Sequence, residues 1–431
     1  MTEMPSKERD ILHGQVLSVR ESRGFTFADV GHPGQECPVQ IVVDRSIVDT
    51  PSPRIGDLVQ ANGELGETAL SKRRGLGQVS LFTDEIRILA VNERPRWPGA
   101  DTKKRHARQA DYVGMLKARH ATQAGLRNLF DGLDYTHVDT SILQTTASGA
   151  AARTFDTVTN FDGMERHLRI APEIDLKVIM ALSGLERVYE IGRNFRNEGE
   201  GALHHPEFTN LEAYTAYQTS AEAEQLTSEM LDTVAQSFGK NQYDFKNMPR
   251  KGLEELFAAH GIDYLADIIE PADAGDVDKL AALGDRYGID TKDKGTSGIV
   301  DSMIKKLIRP DITSPMVVDN YLSQQLPLAA SLPSDERLAD AFQVIVDGAE
   351  VIKAYQEEVN PRKLGAKLLK QAGESIEDMF NTDTRLVEAC EMGLPPMYGI
   401  GLGLDRFAAI LSGKPIADVI PVPITGLRNQ N

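Results

Sequence analysis

The stretch YEIGRNFRNEGEGALHHPEF, Tyr189 to Phe208, decides the fold prediction because it places charged residues and glycines between two strand-like runs. Side chains alternate between the two faces of a β-strand. On that period one face of the first strand carries Glu190, Gly192, Asn194, Arg196 and Glu198. The pattern predicts an antiparallel hairpin with one polar face.

The second strand continues the polar face of this hairpin. Its matching side chains are Phe208, Asn210, Glu212, Tyr214 and Ala216. An arginine, an aromatic ring and carboxylates on one surface can bind a phosphate, a base and an ammonium group. Spacing alone leaves a solvated surface hairpin equally open, since charge runs are often only solvated.

The composition is that of a folded protein with two or three domains. The chain has 431 residues, of which 41% are hydrophobic and 26% are charged. A formal net charge of −17 argues against an indiscriminate nucleic-acid binder, which would be basic overall. Two distant cysteines, Cys37 and Cys390, cannot build a disulfide framework or a zinc site by themselves. The opening MTEMPSKERD contains no apolar signal region, so we expect a cytoplasmic protein without a membrane span.

Residues 1–95 are predicted to form a five-stranded β-barrel of the OB-fold type. Five short runs rich in Val, Ile, Thr and Phe lie between turn residues in this region. Phe25 and Phe27 alternate with Thr26, so both rings are expected on one face. In an isolated barrel we expect them in the core, although OB-folds also stack bases on such rings. The polar, proline-containing residues 96–114 are the predicted linker.

Residues 115–431 are predicted to form one α+β domain with a mainly antiparallel sheet flanked by helices. The pattern predicts a helix around 115–131, a strand at YTHVDTSIL, and a helix opened by Pro172. Near the end, GIGLGLDRF predicts a glycine-rich strand and then a helix whose N-terminus, with Arg406, favours anions. Residues 245–335 are helical and irregular in pattern, and their elements stay unassigned.

Together these motifs resemble the class II aminoacyl-tRNA synthetases. FRNEG followed by HHPEF is similar to motif 2 of that class, and GLGLDRF is similar to motif 3. Within the class, the runs ASGAAARTF, LRIAPEIDLK, ERVYEIGRNFRNEG and HPEFTNLEAYTAY are most similar to lysyl-tRNA synthetase and occur in the same order. The resemblance covers nearly the whole chain. It implies an OB-fold anticodon-binding domain, an antiparallel catalytic sheet and a homodimer.

The resemblance also implies a reaction. Lysine would be activated by ATP and magnesium to lysyl-adenylate, and the lysyl group would pass to the 3′ end of tRNA(Lys). Two alternatives stay open. One is a divergent relative that activates lysine or a similar compound and acylates another acceptor, and the other is a non-catalytic binder of tRNA or an amino acid.

Roles for individual residues follow from the same resemblance. The implied catalytic residues are Arg196 and Arg406. ATP would be bound by Arg196, Glu198, His204, His205, Phe208, Glu350 and Arg406. The amino acid would be bound by Gly149, Glu173, Glu212, Tyr214, Lys353, Tyr355 and Glu357. Magnesium would be held by Glu350 and Gln343. The anticodon would be read by Arg20, Phe27 and Gln40, with Lys72 to Arg74 on phosphates.

The implied pocket agrees with elementary electrostatics. Two buried carboxylates, Glu212 and Glu357, would be costly to bury without a cation. The ammonium group of lysine supplies that cation. An uncharged substrate would leave both carboxylates unpaired, so we expect strong rejection of it.

Several positions depart from the pattern of the family. Ser141 stands where motif 1 has a proline, Gln343 where the family has a glutamate, and Lys353 where it has an asparagine. Tyr355 replaces a phenylalanine and Ser148 a glycine. Because a glutamine brings no charge, we expect fewer or weaker magnesium sites.

Overall fold

The computed structural model describes residues 10–31, 38–46, 52–67, 79–91, 102–146, 152–240, 242–371 and 384–424, with the backbone alone for 102–110 and 371. Four sets of positions discussed above lie outside these residues: Cys37, Lys72 to Arg74, Ser148 and Gly149. The described residues fall into two compact units that divide between Ala118 and Arg119. None of the helices in the described ranges is long and apolar enough to cross a membrane.

The first unit holds a closed five-stranded barrel, which confirms the predicted OB-fold. The strands are β1 (Asp10–Ser22), β2 (Phe25–Gly31), β3 (Val39–Asp44), β4 (Leu58–Glu67) and β5 (Val79–Ala90). They pair in the order β1-β2-β3-β5-β4, and β4 pairs back onto β1 to close the ring. Alternate side chains point inward and form an apolar core that includes Val16, Val30, Ile41, Val59, Leu81 and Ile86.

The rings of Phe25 and Phe27 lie on the outside of this barrel, so the expectation that they fill its core was wrong. Thr26 and Ala28, which alternate with them along β2, are buried. The two ring centroids are 6.4 Å apart, so the rings share one face as predicted. Because the small and branched side chains of β2 point inward, the alternation leaves the aromatic ones outside.

The second unit is built on an eight-stranded sheet with two small accessory sheets. Its strands are β6 (Thr136–His137), β7 (Leu143–Gln144), β8 (Asp156–Val158), β9 (Glu165–Leu168), β10 (Arg187–Phe195), β11 (Glu207–Ala216), β12 (Arg250–Gly252), β13 (Met316–Asp319), β14 (Ser331–Leu332), β15 (Asp335–Ala339), β16 (Ala341–Val346), β17 (Ala349–Gln356) and β18 (Met397–Leu402). The large sheet has the order β12-β13-β16-β17-β18-β11-β10-β6. All neighbouring strands from β13 to β10 in this order are antiparallel. The edge strand β12 is parallel to β13, and the edge strand β6 is parallel to β10.

Helices cover the apolar face of the large sheet. The helices are α1 (Thr102–Gly132), α2 (Glu173–Ser183), α3 (Ser220–Ser237), α4 (Leu253–Ala258), α5 (Glu270–Asp273), α6 (Val277–Arg286), α7 (Thr296–Met303), α8 (Pro361–Gln371), α9 (Arg385–Glu391), α10 (Leu404–Ser412) and α11 (Ile416–Val419). Apolar side chains of α3 and α10, such as Met230 and Phe407, share a buried core with Leu211 and Ile400 of the sheet. Thr219 caps α3 in a capping box with Glu222, which satisfies the first backbone N–H groups of that helix.

Two predictions about element boundaries were wrong. Helix α1 begins at Thr102, inside the stretch predicted as a linker. The run YTHVDTSIL is not one strand, because only two short pieces of it pair, and they belong to different sheets. The N–H and hydroxyl groups of Thr140 donate to Glu190 Oε2, at 3.2 and 2.7 Å, so a side chain takes the place of a neighbouring strand there.

Residues 245–335 form a second helical core, which the sequence left unassigned. Short helices α4 to α7 surround buried side chains such as Phe257, Ile299 and Met303. Two stretches, Tyr264–Ile269 and Ile304–Ile308, are wound as π-helix. The wider π-helical turns break the 3.6-residue period on which a helix prediction depends.

Candidate active site

On one face of the sheet, two residues of β11 that are predicted to bind the amino acid lie opposite glycines of β18. Glu212 lies opposite Gly401, and Tyr214 lies opposite Gly399. A Cβ atom on Gly399 would lie 2.5 Å from Glu357 Oε1 and 2.7 Å from Tyr214 Cε1. Only a glycine fits there, so the glycine-rich motif leaves room for the ring and the carboxylate to meet.

Strands β17 and β16 extend the same face. Tyr355 lies opposite Gly399, and Lys353 lies opposite both Gly401 and Gln343. Directly paired residues point to the same side of a sheet. Three of the five departures from the family pattern, Gln343, Lys353 and Tyr355, therefore lie on the surface that carries the β11 side chains.

One end of this face is a buried carboxylate pocket. Glu173, Glu212 and Glu357 are all more than nine-tenths buried. Lys177 Nζ lies 2.7 Å from Glu173 Oε1 and 2.5 Å from Glu357 Oε2. The hydroxyl of Tyr214 donates to Glu212 Oε2 over 2.9 Å. Among the described residues, three buried carboxyl groups therefore lie around one buried ammonium group, which cannot neutralise all three when they are ionised.

The pKa values of the pocket show that its charge is unbalanced. Burial, reinforced by Glu173, raises the pKa of Glu212 to about 7. Burial raises the pKa of Glu357 to about 8, although Lys177 opposes the shift. Glu357 Oε1 is buried and has no hydrogen-bond partner in the described part of the chain. Since an unpaired buried carboxylate is costly, the pocket is suited to a cationic ligand.

Lys177 was not singled out from the sequence, although its spacing could have indicated it. It follows Glu173 by four residues in α2, so both side chains lie on one side of that helix. Burial would lower the pKa of Lys177, but Glu173 and Glu357 outweigh it and raise the value, so the group stays charged. The hydroxyl of Tyr355 also donates to Glu173 Oε1, over 2.5 Å.

The other end of the face carries Arg196 and Phe208. Phe208 precedes Glu212 by four residues in β11, a distance of about 14 Å at 3.4 Å per residue. Arg196 Cζ lies 5.2 Å from the centroid of the Phe208 ring. Arg196 Nε is buried and has no partner among the described residues, so it can donate to a ligand.

Arg406 lies in the first turn of α10, as predicted. Its Nη1 donates to the backbone oxygen of Glu350 over 3.1 Å, and its Nε donates to that of Leu203 over 3.4 Å. Burial lowers the pKa of Arg406, with Glu350 acting in the opposite direction. These bonds hold a half-buried cation next to the hairpin that carries Arg196.

The tip of the hairpin carries the two histidines. His204 forms an isolated bridge with Gly201, which closes the tip. Burial, together with the charge of Arg406, lowers the pKa of His204. His205 Nδ1 lies 2.6 Å from the backbone oxygen of Glu207, while its buried Nε2 has no partner among the described residues.

Glu198 lies beyond the end of the paired strand, so the alternation does not reach it. Strand β10 ends at Phe195, and the N–H of Glu198 donates to the backbone oxygen of Arg196 over 2.8 Å. This turn interrupts the two-residue period, and the side chain of Glu198 is exposed. The alternation holds for the paired residues, where Gly192 faces Asn210 and Asn194 faces Phe208.

The predicted magnesium ligands both accept hydrogen bonds from a guanidinium group. Arg309 Nη2 donates to Glu350 Oε2 over 2.5 Å and to Gln343 Oε1 over 3.1 Å. Burial would raise the pKa of Glu350, but Lys353 and Arg309 hold it below its usual range. Magnesium in nucleotide sites is usually held by one or two carboxylates together with substrate phosphates. Here the single carboxylate and the neutral amide each already accept a hydrogen bond from a guanidinium, so they fit the ion poorly. The described residues contain no cluster of three or more Asp, Glu, His or Cys that could hold a metal.

Comparisons with known proteins agree with this geometry. The profile of the tRNA synthetases of class II (D, K and N) matches residues 100–426. A lysine–tRNA ligase of Pelotomaculum thermopropionicum is 30% identical over 96% of this chain and 85% of its own length. The chain belongs to the lysine–tRNA ligase family of class II aminoacyl-tRNA synthetases. Lysine–tRNA ligases of Erwinia tasmaniensis (31% identical, 86% of this chain, 76% of theirs) and Lysinibacillus sphaericus (30%, 96%, 86%) match as well.

The predicted anticodon residues of this synthetase lie together on the outside of its barrel. Arg20 lies opposite Phe27, and its Cζ is 5.1 Å from the centroid of that ring. Gln40 lies opposite Asp29 on the neighbouring strand, and its Oε1 accepts a hydrogen bond from Ser80 over 3.4 Å. The outer surface of the barrel therefore carries a guanidinium group, an aromatic ring and a carboxamide. Guanidinium groups contact phosphates, aromatic rings stack on bases, and carboxamides form hydrogen bonds with base edges.

Proposed function

We propose that this class II synthetase activates lysine with ATP and transfers the lysyl group to the 3′ end of tRNA(Lys). The observation that carries the proposal is the buried carboxylate pocket, which lies on the same sheet face as Arg196 and Phe208. The names of the relatives, lysine–tRNA ligases, support the same substrate.

The carboxylate pocket provides for both amino groups of lysine. The side-chain ammonium would lie between Glu212 and Glu357, next to the hydroxyl of Tyr214, where Glu357 Oε1 lacks a partner among the described residues. Glu173 would receive the α-amino group, with Gly149 as a backbone contact. Tyr355 and Lys177 fix the Glu173 carboxylate for that task.

The opposite end of the face provides for ATP. Phe208 would stack on the adenine, with Arg406 on the other side of the base and close to the outer phosphates. Arg196 would contact both the α-phosphate and the carboxylate of lysine through its fork of N–H donors. Glu198, His204 and His205 belong to the hairpin tip, which would contact the adenine and the outer phosphates.

The chemistry follows from this placement. A carboxylate oxygen of lysine attacks the α-phosphorus, and the bond to the bridging oxygen of the leaving pyrophosphate breaks. The arginines stabilise the negative charge that develops on the phosphate oxygens, and the two ends of the face hold the reactants in line. The lysyl group then passes to a hydroxyl of the terminal adenosine of tRNA, and AMP leaves. Magnesium would arrive with ATP as part of the substrate.

The barrel would read the anticodon through Arg20, Phe27 and Gln40. Exposed aromatic rings stack on unpaired bases, and arginine contacts the phosphates. We propose a cytoplasmic homodimer, in keeping with the family. Ser141, the position that departs from motif 1, is exposed, and its carbonyl accepts a hydrogen bond from Gln144 over 2.6 Å.

Amino-acid-dependent exchange of pyrophosphate into ATP, followed by charging of total tRNA, tests the proposal. We expect exchange with lysine alone among the standard amino acids, and transfer to tRNA that carries a lysine anticodon. Exchange with lysine but no transfer to any tRNA would favour a relative that acylates another acceptor. ATP binding without exchange for any amino acid would contradict a catalytic role.

A further inference from the structure

Arg309 occupies a position between two oxygens on the phosphate side of the site. Its Nη2 donates to both Glu350 Oε2 and Gln343 Oε1, at 2.5 and 3.1 Å. The side chain of Arg309 is 12% exposed and that of Glu350 is 20% exposed, so solvent weakens the ion pair little. The hydroxyl of Tyr321 also donates to Gln343 Oε1, over 3.0 Å, which fixes the orientation of the amide.

The position of Arg309 is fixed by backbone contacts on both sides of it in the fold. The π-helical stretch Ile304–Ile308 ends in a single 3-10 turn, Arg309–Asp311. Gly348 N donates to the backbone oxygen of Ile312 over 2.8 Å. Gly348 has φ 76°, and a Cβ there would lie 3.2 Å from the backbone oxygen of Arg309. The β16–β17 turn therefore packs closely against the backbone of Arg309. π-Helical turns are frequent at functional sites.

The charges around this pair favour an anion. Arg406 Nη1 donates to the backbone oxygen of Glu350 over 3.1 Å, and Lys353 lies directly opposite Gln343 on the neighbouring strand. Arg309 Nε is buried and lacks a partner among the described residues. A cluster of arginines and a lysine with one buried carboxylate matches phosphate oxygens, which arginine binds through paired N–H donors.

We propose that Arg309 takes the place of an enzyme-held magnesium ion and binds the outer phosphates of ATP. Arg309 already occupies Glu350 Oε2 and Gln343 Oε1, two oxygens that a divalent ion bound here would use, and the neutral amide of Gln343 offers such an ion no charge. ATP therefore binds here without a divalent ion supplied by the protein. This inference rests on the proposed function, because it requires ATP as the ligand.

The test is calorimetric titration of ATP into the full chain without lysine, first in EDTA and then in magnesium. Wild type is expected to bind ATP in EDTA with a Kd within about threefold of the value in magnesium. Arg309→Gln should weaken binding in EDTA by about tenfold or more, the loss of a charged phosphate contact. Arg309→Lys, which keeps the charge, should lose less.

A matched control and a gain-of-metal variant sharpen the test. Arg250 likewise bridges two carboxylates, Glu224 and Asp319, in the same unit, so Arg250→Gln should leave ATP binding unchanged. The double variant Arg309→Gln, Gln343→Glu offers two carboxylates, and its ATP binding should depend on magnesium. Wild-type binding only in magnesium, or equal binding by wild type and Arg309→Gln in EDTA, would overturn the inference. No ATP binding under either condition would contradict the proposed function as well.

Discussion

The ammonium group of Lys177 neutralises only part of the charge of the carboxylates around it. It contacts Glu173 and Glu357 directly, whereas the hydrogen bonds that Glu212 accepts within the described residues come from Asn210 and Tyr214. Burial makes each ionised carboxylate expensive, which is why the pKa of Glu212 and of Glu357 is raised. At neutral pH the empty pocket therefore holds protons that a bound lysine would displace.

The raised pKa values of the two carboxyl groups predict opposite effects of pH on folding and on lysine binding. The pKa of Glu212 rises from 4.5 to about 7, and that of Glu357 to about 8. Groups with a raised pKa stabilise the fold fully below pH 4.5, and that stability is lost as pH rises through about 7 to 8. Lysine binding needs ionised carboxylates, so it should tighten by about tenfold or more between pH 6 and 8.

Melting curves of the free protein and calorimetric lysine titrations at several pH values check both effects. Glu336→Gln is a suitable control, since that carboxylate is exposed and pairs only with the exposed Lys363 among its described contacts. Lysine affinity that is flat between pH 6 and 8 would contradict the account of the pocket.

At the scale of elements, strand β18 leaves space for the pocket because it carries glycines opposite Tyr214 and Glu212. The ring of Tyr214 and the carboxylate of Glu357 meet over Gly399 in the space that a side chain would fill. Gly401, two residues on, has no atom nearer to its Cβ position than 3.8 Å, apart from its chain neighbours. Gly401 is therefore a suitable control for Gly399, since it lies in the same strand without the close contacts.

Gly399→Ala is expected to cost about 1–3 kcal/mol of stability, since the new methyl group overpacks the pocket. It should also abolish lysine binding, because Glu357 and Tyr214 must move. Gly401→Ala should change the free energy of unfolding by less than about 1 kcal/mol. Urea unfolding of both variants makes the comparison, and equal destabilisation by the two would refute the steric argument.

The elements also show what could be predicted from the sequence. Period-2 alternation placed Phe208, Glu212 and Tyr214 on one face because the backbone of a paired strand enforces it. It does not extend to Glu198, because pairing ends at Phe195. A pattern applies only as far as the hydrogen-bonded ladder that produces it.

Arg309 could not be predicted in the same way. It meets Gln343 from 34 residues away, at the end of a π-helical stretch that has no regular apolar period. Lys177, by contrast, follows Glu173 by one helical turn and could have been found from that spacing. Contacts within an element are readable from sequence, whereas contacts between irregular segments depend on tertiary packing.

At the scale of the whole molecule, we propose that the barrel binds the anticodon of tRNA and that the second unit activates lysine. The barrel presents Arg20 and Phe27 outward, and the second unit holds the carboxylate pocket and the arginines. Arg20→Ala and Phe27→Ala should therefore raise the KM for tRNA by about ten- to a hundredfold, from the lost stacking and phosphate contact. Lysine-dependent pyrophosphate exchange should stay unchanged.

Steady-state charging and pyrophosphate exchange on the same preparations separate the two effects. Arg87 is an exposed arginine elsewhere on the barrel, so Arg87→Ala serves as the control for charge. A parallel loss of exchange and charging in Phe27→Ala would argue against a separate role for the barrel.

Glu212 and Glu357 are central to the proposed function because they would hold the cationic side chain of lysine. Calorimetric titration of lysine and of norleucine, which has the same chain length without the terminal ammonium, tests it directly at pH 8. Wild type should bind lysine and reject norleucine, and Glu357→Gln should bind lysine about a hundredfold more weakly while its affinity for ATP is unchanged. Equal affinity of wild type for lysine and norleucine, or undiminished lysine binding by Glu357→Gln, would contradict the account.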